Sequence, residues 1–313
     1  MAATPATPVT SAPLDYGDVL PPWPGETITI PGRTLHVRHA TTTGAGEPAV
    51  LIHGLGGSST NWTDLMGLLR TRCESLAVDL PGFGMSPPPR DGDFSPAGHA
   101  RAVADLIEAR FGDVPVHVFG NSMGGAVGLQ LAARRPELVR TLTLCAPALP
   151  ERRPRRTNVH LPVIAIPGVG SSMMRRYLTL DSAVRARTTI NICFADPSRV
   201  PEVRWQEFAA DVAKRDAHPY LADAFLGSLR GLMATYLEGG ADRPWALAGR
   251  VSAPTLVIYG RHDKLVNSRA AHAVTKAFPD ARVAVLSDCG HVPQMEHPEE
   301  VAALWHDLTP VSS

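Results

Sequence analysis

The 313-residue chain has little that would tie it to a charged partner, a metal or a bilayer. Its 30 basic and 30 acidic residues cancel, so no net field recommends nucleic acid or an anionic surface. Lysine occurs only at 214, 264 and 276; the arginine bias behind the rest of the basic charge carries no chemistry. The four cysteines, at 73, 145, 193 and 289, have no C-x-x-C spacing, which gives no support to zinc or a redox pair and leaves buried reduced thiols. The longest apolar stretch, "LPVIAIPGVGSSMM", is interrupted by prolines and falls short of the roughly 20 residues that span a membrane. Residues 1–25 lack the basic end and continuous apolar core of a signal peptide and read as a loosely draped tail. Neither G-x-G-x-x-G nor G-x-x-x-x-G-K-[ST] is present, which leaves nucleotide binding without a motif. The expected setting is soluble and cytoplasmic, with no nucleic acid, no stable membrane insertion and a small neutral molecule as partner. Nothing in the pattern specifies an oligomeric state.

What is present is an α/β pattern. "ETITIPGRTLHVRHA" alternates around Pro31-Gly32 like a hairpin with one solvated face. Then "AVLIH" (49–53), "SLAVD" (75–79), "VHVF" (116–119) and "TLTL" (141–144) are continuously apolar, as strands buried on both faces are. Between them, "SPAGHARAVADLIEAR" opens with Ser95 as N-cap and Pro96 at the first helical position, and "MGGAVGLQLAARRP" is apolar almost all round until Pro136 stops it. The alternation lapses after Ala146 and resumes with "TLVIYG" (255–260), a helix over 268–278, "RVAVL" (282–286) and a final helix. The domains expected are a core of 26–146 and 250–313, with a helical insertion at 147–249 that contains no repeat.

Three positions carry the chemistry. Ser122 sits in Gly120-Asn121-Ser122-Met123-Gly124 between a buried strand and a buried helix, the context that makes G-x-S-x-G a nucleophile elbow rather than a plain turn. A serine hydroxyl needs a base, and His291 follows "RVAVL", at a strand's carboxyl end. Among the other histidines, His117 falls inside a strand, His99 and His272 on helix surfaces, and His297 at the start of the last helix. The imidazole needs a carboxylate. Asp263 lies just beyond "TLVIYG"; Asp288, three residues before His291, is the rival, and the chain order Ser, Asp, His favours Asp263. Oxyanion donors are expected from the Met123 N–H at the helix start and from the Leu55 N–H in "HGLGGSSTNW".

Carried by "LIHGLGGSSTNW", "AVDLPGFGMS", "VFGNSMGGAVGLQLAARRPE", "PTLVIYGRHDKLV" and "CGHVPQMEHPEEV", the chain closely resembles the α/β-hydrolase superfamily over roughly residues 26–146 and 250–310. The resemblance is to its esterase, lipase and carbon-carbon hydrolase branches. It implies a mostly parallel eight-stranded sheet flanked by helices, with 147–249 as a helical cap after the fourth buried strand. It also implies Ser122 as nucleophile, His291 as base, Asp263 as orienting acid, and Leu55 and Met123 as oxyanion donors. Serine at the elbow argues against the dehalogenase and epoxide-hydrolase branches, which use aspartate there. Hydrolases of ring-fission diketones share "GNSMGG" but usually carry a Gly-Pro-containing oxyanion loop and an aromatic residue after the histidine, where this chain has "GLGGSS" and Val292.

The expected reaction is acyl transfer to water from a hydrophobic ester, without metal or organic cofactor. Met173, Met174, Leu178, Phe194, Phe208, Phe225, Leu226 and Met233 of the insertion are core or pocket lining, and "ERRPRR" (151–156) is a solvated hinge or a head-group site. Carbon-carbon bond cleavage, a natural-product tailoring hydrolysis and a non-catalytic small-molecule receptor are the alternatives.

Overall fold

The structure, a computed structural model, describes residues 7–9, 20–44, 46–151 and 160–309. Nine strands form one sheet: β1 (Thr7–Val9), β2 (Gly25–Ile30), β3 (Arg33–Ala40), β4 (Glu47–Ile52), β5 (Cys73–Val78), β6 (Val116–Asn121), β7 (Val139–Cys145), β8 (Thr255–Gly260) and β9 (Ala281–Leu286). Their order is β1-β9-β8-β7-β6-β4-β5-β3-β2. Strands β2 to β9 are the eight expected from the sequence. The three residues of β1 add a parallel edge to β9 from inside the segment expected to be a tail. The β2–β3 and β3–β5 pairings are antiparallel and the others parallel.

Helices cover both faces, which is why the central strands read as unbroken apolar runs. On one face lie α2 (Pro96–Phe111) and α3 (Met123–Arg134), against Val116 and Val118 of β6. On the other lie α1 (Thr63–Leu69) and α12 (Pro298–Leu308), where Trp305 packs tilted on Phe119 at 5.7 Å between ring centroids. The α2 start is as expected: Pro96 is its first residue and the Gly98 N–H donates to Ser95 Oγ at 3.0 Å.

After β7 the chain builds α4 (His160–Ala165), α5 (Val169–Leu178), α6 (Ser182–Cys193), α7 (Glu202–Arg215), α8 (Leu221–Thr235) and α9 (Pro244–Ala248) before entering β8. Helices α4 and α5 lean on α8, and α6 pairs with α7, so this segment has two parts; α9 packs back on α3. Two smaller helices, α10 (Ala271–Ala277) and α11 (Pro293–Glu296), flank β9. Among the described residues no helix is long and apolar enough to cross a membrane.

The chain steps from β4 to β5 on one side and to β6 on the other. That reversal opens a crevice at the carboxyl ends of β4 and β6, the position where such sheets bind ligands.

Candidate active site

Ser122 follows the last residue of β6 and caps α3 with φ 53° and ψ −116°, a left-handed backbone rare for a residue with a side chain. Such a conformation costs on the order of 1–3 kcal/mol and persists only when its surroundings impose it. Here they do. A Cβ on Gly124 would lie 2.1 Å from the Ile52 carbonyl oxygen, so the helix start rests directly on the β4 backbone. The Ser122 N–H donates to Cys145 O at 3.0 Å, and its own carbonyl receives Gly125, Ala126 and Ala148. The amides of Met123 and Gly124 precede that first helical pairing, at the end of a helix where N–H groups lack an intrahelical partner.

His291 and Asp263 stand on the loops after β9 and β8. A Cβ on Gly260 would sit 2.0 Å from Gly290 O, so only the bare backbone lets the two loops touch. The result is a hydrogen bond of 2.8 Å from His291 Nδ1 to Asp263 Oδ2, both side chains buried. Asp263 Oδ1 also accepts the Leu265 and Val266 amides at 2.7 and 2.9 Å, which hold the carboxylate still. With Nδ1 donating, Nε2 keeps its lone pair for the cavity. The rival Asp288 turns away and meets Arg199 at 3.4 Å. Ser122, His291 and Leu55 all line one cavity of about 610 Å³, roofed by the inserted helices. Of the eight apolar residues named from the insertion, all but Leu226 line it; Leu226 is buried core. The basic run is outside the described residues apart from Glu151 at the cavity wall.

The Leu55 loop is a turn closed by Gly57 N–H to Gly54 O at 3.0 Å, which leaves the Leu55 N–H outside the closing bond. Its base is His53. Leu80 N–H donates to Nε2 at 3.0 Å, so Nδ1 carries the proton and donates to Gly54 O at 2.7 Å. Burial lowers the pKa of this imidazole, consistent with a neutral ring. Asp79 supports the same loop by accepting Ser59 N–H at 2.6 Å and Met85 N–H at 2.9 Å. Burial alone would raise its carboxyl, but the His36 hydrogen bond and these two amides bring it down to about 2.

Several contributors escaped the sequence reading. Asn121 Nδ2 donates to both Cys145 O and His291 O at 3.0 Å, tying the serine turn to the histidine loop. Glu296 accepts Gly290 N–H at 2.7 Å and Ala195 N–H at 2.8 Å, and burial pushes its carboxyl up to about 7. Its only sequence signal was a carboxylate five residues beyond His291. His99 corrects an expectation: it is not on a helix surface but fully buried, its Nε2 3.0 Å from Ser228 Oγ of α8. The cysteines are free thiols, three buried and Cys193 half-buried at the cavity wall. Among the described residues no cluster of three or more His, Cys, Asp or Glu could hold a metal.

Over residues 49–304 the chain matches the model of a family described as the alpha/beta hydrolase family. It is 30% identical over 273 residues to the 2-hydroxymuconate semialdehyde hydrolase of Pseudomonas putida, spanning 83% of this chain and 86% of that protein. It is 28% identical over 258 residues to Lipase 1 of Psychrobacter immobilis, spanning 82% of this chain and 75% of the lipase. Among solved structures, the 2-hydroxy-6-oxo-6-phenylhexa-2,4-dienoate hydrolase of Rhodococcus sp. strain RHA1 aligns with a TM-score of 0.68 at 23% identity, covering 91% of this chain and 99% of that one. At that identity the likeness speaks for the fold alone.

Proposed function

The chain belongs to the alpha/beta hydrolase family, and from that premise we propose that it is a serine hydrolase cleaving a hydrophobic carboxylic ester. The observation that carries this reading is that His291, paired with Asp263 at 2.8 Å, lines the same apolar cavity as Ser122 at its positive-φ turn. His291 Nε2 takes the Ser122 proton as Oγ attacks the ester carbonyl carbon. The Leu55 and Met123 amides receive the oxyanion, each contributing about 3 kcal/mol to the transition state. Collapse expels the alcohol, which takes its proton from His291. Water, deprotonated by the same ring, then releases the acid and restores Ser122. The inserted helices act as the cap that selects the acyl or alcohol group.

Cleavage of a carbon-carbon bond is the second reading, favoured by the 30% identity to the semialdehyde hydrolase. Relatives of that kind include one named for a dienoic acid, whose carboxylate needs a cation. Among the described residues, the two arginines lining this cavity are each occupied, Arg185 with Asp216 and Arg215 with Asp211, and this supports a neutral ester. The test is kcat/KM on nitrophenyl esters from acetate to palmitate, with Ser122→Ala in parallel. Turnover that falls about 10⁶-fold in the variant supports the esterase. Inert wild type on every ester, with turnover of a ring-fission diketone, replaces it by the second reading.

A further inference from the structure

The loop that would carry an oxyanion donor is poor in side chains. Gly54, Gly56 and Gly57 surround Leu55, so the chain here has the widest conformational freedom and few atoms of its own to hold it. A donor misplaced by about 1 Å can cost on the order of 10² in rate. His53 and Asp79 hold its two ends, and the structure adds a buried ion pair at the end of α7 that holds its middle.

Arg215 and Asp211 lie one turn apart and pair at 3.1 Å, with Arg215 Nε also donating to Asp211 O at 3.2 Å. This fixes the guanidinium so that Nη1 donates to Gly56 O at 2.6 Å and reaches Gly57 O at 3.4 Å. The same Asp211 carboxylate accepts Ser58 Oγ–H at 3.0 Å. One ion pair of the insertion thus grips three consecutive residues, Gly56, Gly57 and Ser58, that directly follow Leu55. Arg215 is 6% exposed. A buried cation is a weak source of stability compared with apolar residues of equal volume, so its value here is in the geometry it imposes.

We infer that Arg215 and Asp211 are positioning residues for the oxyanion loop, so that the Leu55 amide is set for catalysis only when α7 is seated on the core. The inference rests on the proposed hydrolase reading. It makes the insertion part of the catalytic apparatus and not only a substrate filter.

The test compares Arg215→Met and Arg215→Lys with Arg204→Met. Arg204 also joins α7 to the core, through Asp64 of α1, and its ion pairs are with Asp64 and Glu207 rather than with residues 54–58. For wild type and each variant, kcat and KM are measured on the best nitrophenyl ester, together with the affinity of a trifluoromethyl ketone, which forms a tetrahedral adduct with a serine nucleophile. Arg215→Met is expected to lower kcat about 10²-fold with KM within about 2-fold, and to weaken the ketone in parallel. Arg215→Lys, whose ammonium cannot reproduce the planar fork, is expected to lose about 10-fold and serves as the milder variant if the methionine form does not fold. Arg204→Met is expected to stay within about 3-fold. Equal losses in the Arg204 and Arg215 variants, or ketone affinity unchanged while kcat falls, overturn the inference and leave the hydrolase reading intact. Wild type inert to both ester and ketone overturns both.

Discussion

The two parts of the insertion differ in how they meet the core. The α6–α7 part is attached by polar bonds that end on the loops of the site. The His291 N–H donates to Cys193 O at 2.6 Å, Ala195 N–H to Glu296 at 2.8 Å, Lys264 Nζ to Asn191 O at 2.7 Å, and Arg215 to Gly56 O at 2.6 Å. The stretch 160–180, which forms α4 and α5, contains no acidic residue, and Val163, Ile166, Val169 and Met173 are 45%, 48%, 43% and 44% exposed. It leans on α8, for example through Arg230 Nε to Ala165 O at 2.9 Å. The difference teaches that one insertion can meet its core in two ways. Directional bonds keep α6 and α7 in register with the residues after β4, β8 and β9, whereas α4 and α5 rest on α8, another helix of the insertion.

The comparison breaks most severely if the α6-side loops do not hold the chemistry. Asp263→Asn removes the acceptor that sets the imidazole tautomer, and kcat on the best ester is expected to fall on the order of 10⁴-fold. A loss below about 10-fold would take Asp263 out of the mechanism. Next in size is the Glu296 bridge between Gly290 and Ala195. Burial raises its carboxyl from 4.5 to about 7, so between these values the folded protein holds a proton that the unfolded chain has released. Stability is therefore greatest below about pH 4.5 from this group and declines as pH rises to about 7, by about 3 kcal/mol. Urea unfolding at pH 5 and pH 8 should show that decline in wild type and not in Glu296→Gln. Identical pH slopes would mean that the bridge does not titrate there. The smallest effect is expected on the other side. Serine at both Val163 and Ile166 should change stability by less than about 1 kcal/mol and kcat by less than about 2-fold. A kcat loss as large as that of Arg215→Met would erase the distinction between the two parts.

Much of this arrangement was legible before any coordinates. The strands buried on both faces announced themselves as apolar runs, and Ser122, Asp263 and His291 each stood just beyond one. Asp263 could be preferred to Asp288 by chain order, but the Gly260–Gly290 contact that brings the two loops together is a meeting of backbones 30 residues apart. His99 looked like a helix-surface residue because its partner, Ser228, is 129 residues away. Nothing in the sequence singles out Glu296 or Arg215, whose partners Ala195 and Gly56 are likewise distant along the chain.

The sequence by itself determined the layered α/β architecture, the serine turn and the order of the candidate residues, because these depend on local periodicity, on glycine where backbones meet, and on motifs a few residues long. Tertiary structure alone decided which inserted residues line the cavity, which arginines are already neutralised and which buried charges hold the site loops. Those outcomes depend on bonds between side chains and backbones as much as 159 residues apart, as from Arg215 to Gly56. Such bonds form only once the strands have brought the loops together, and they impose no period on the chain.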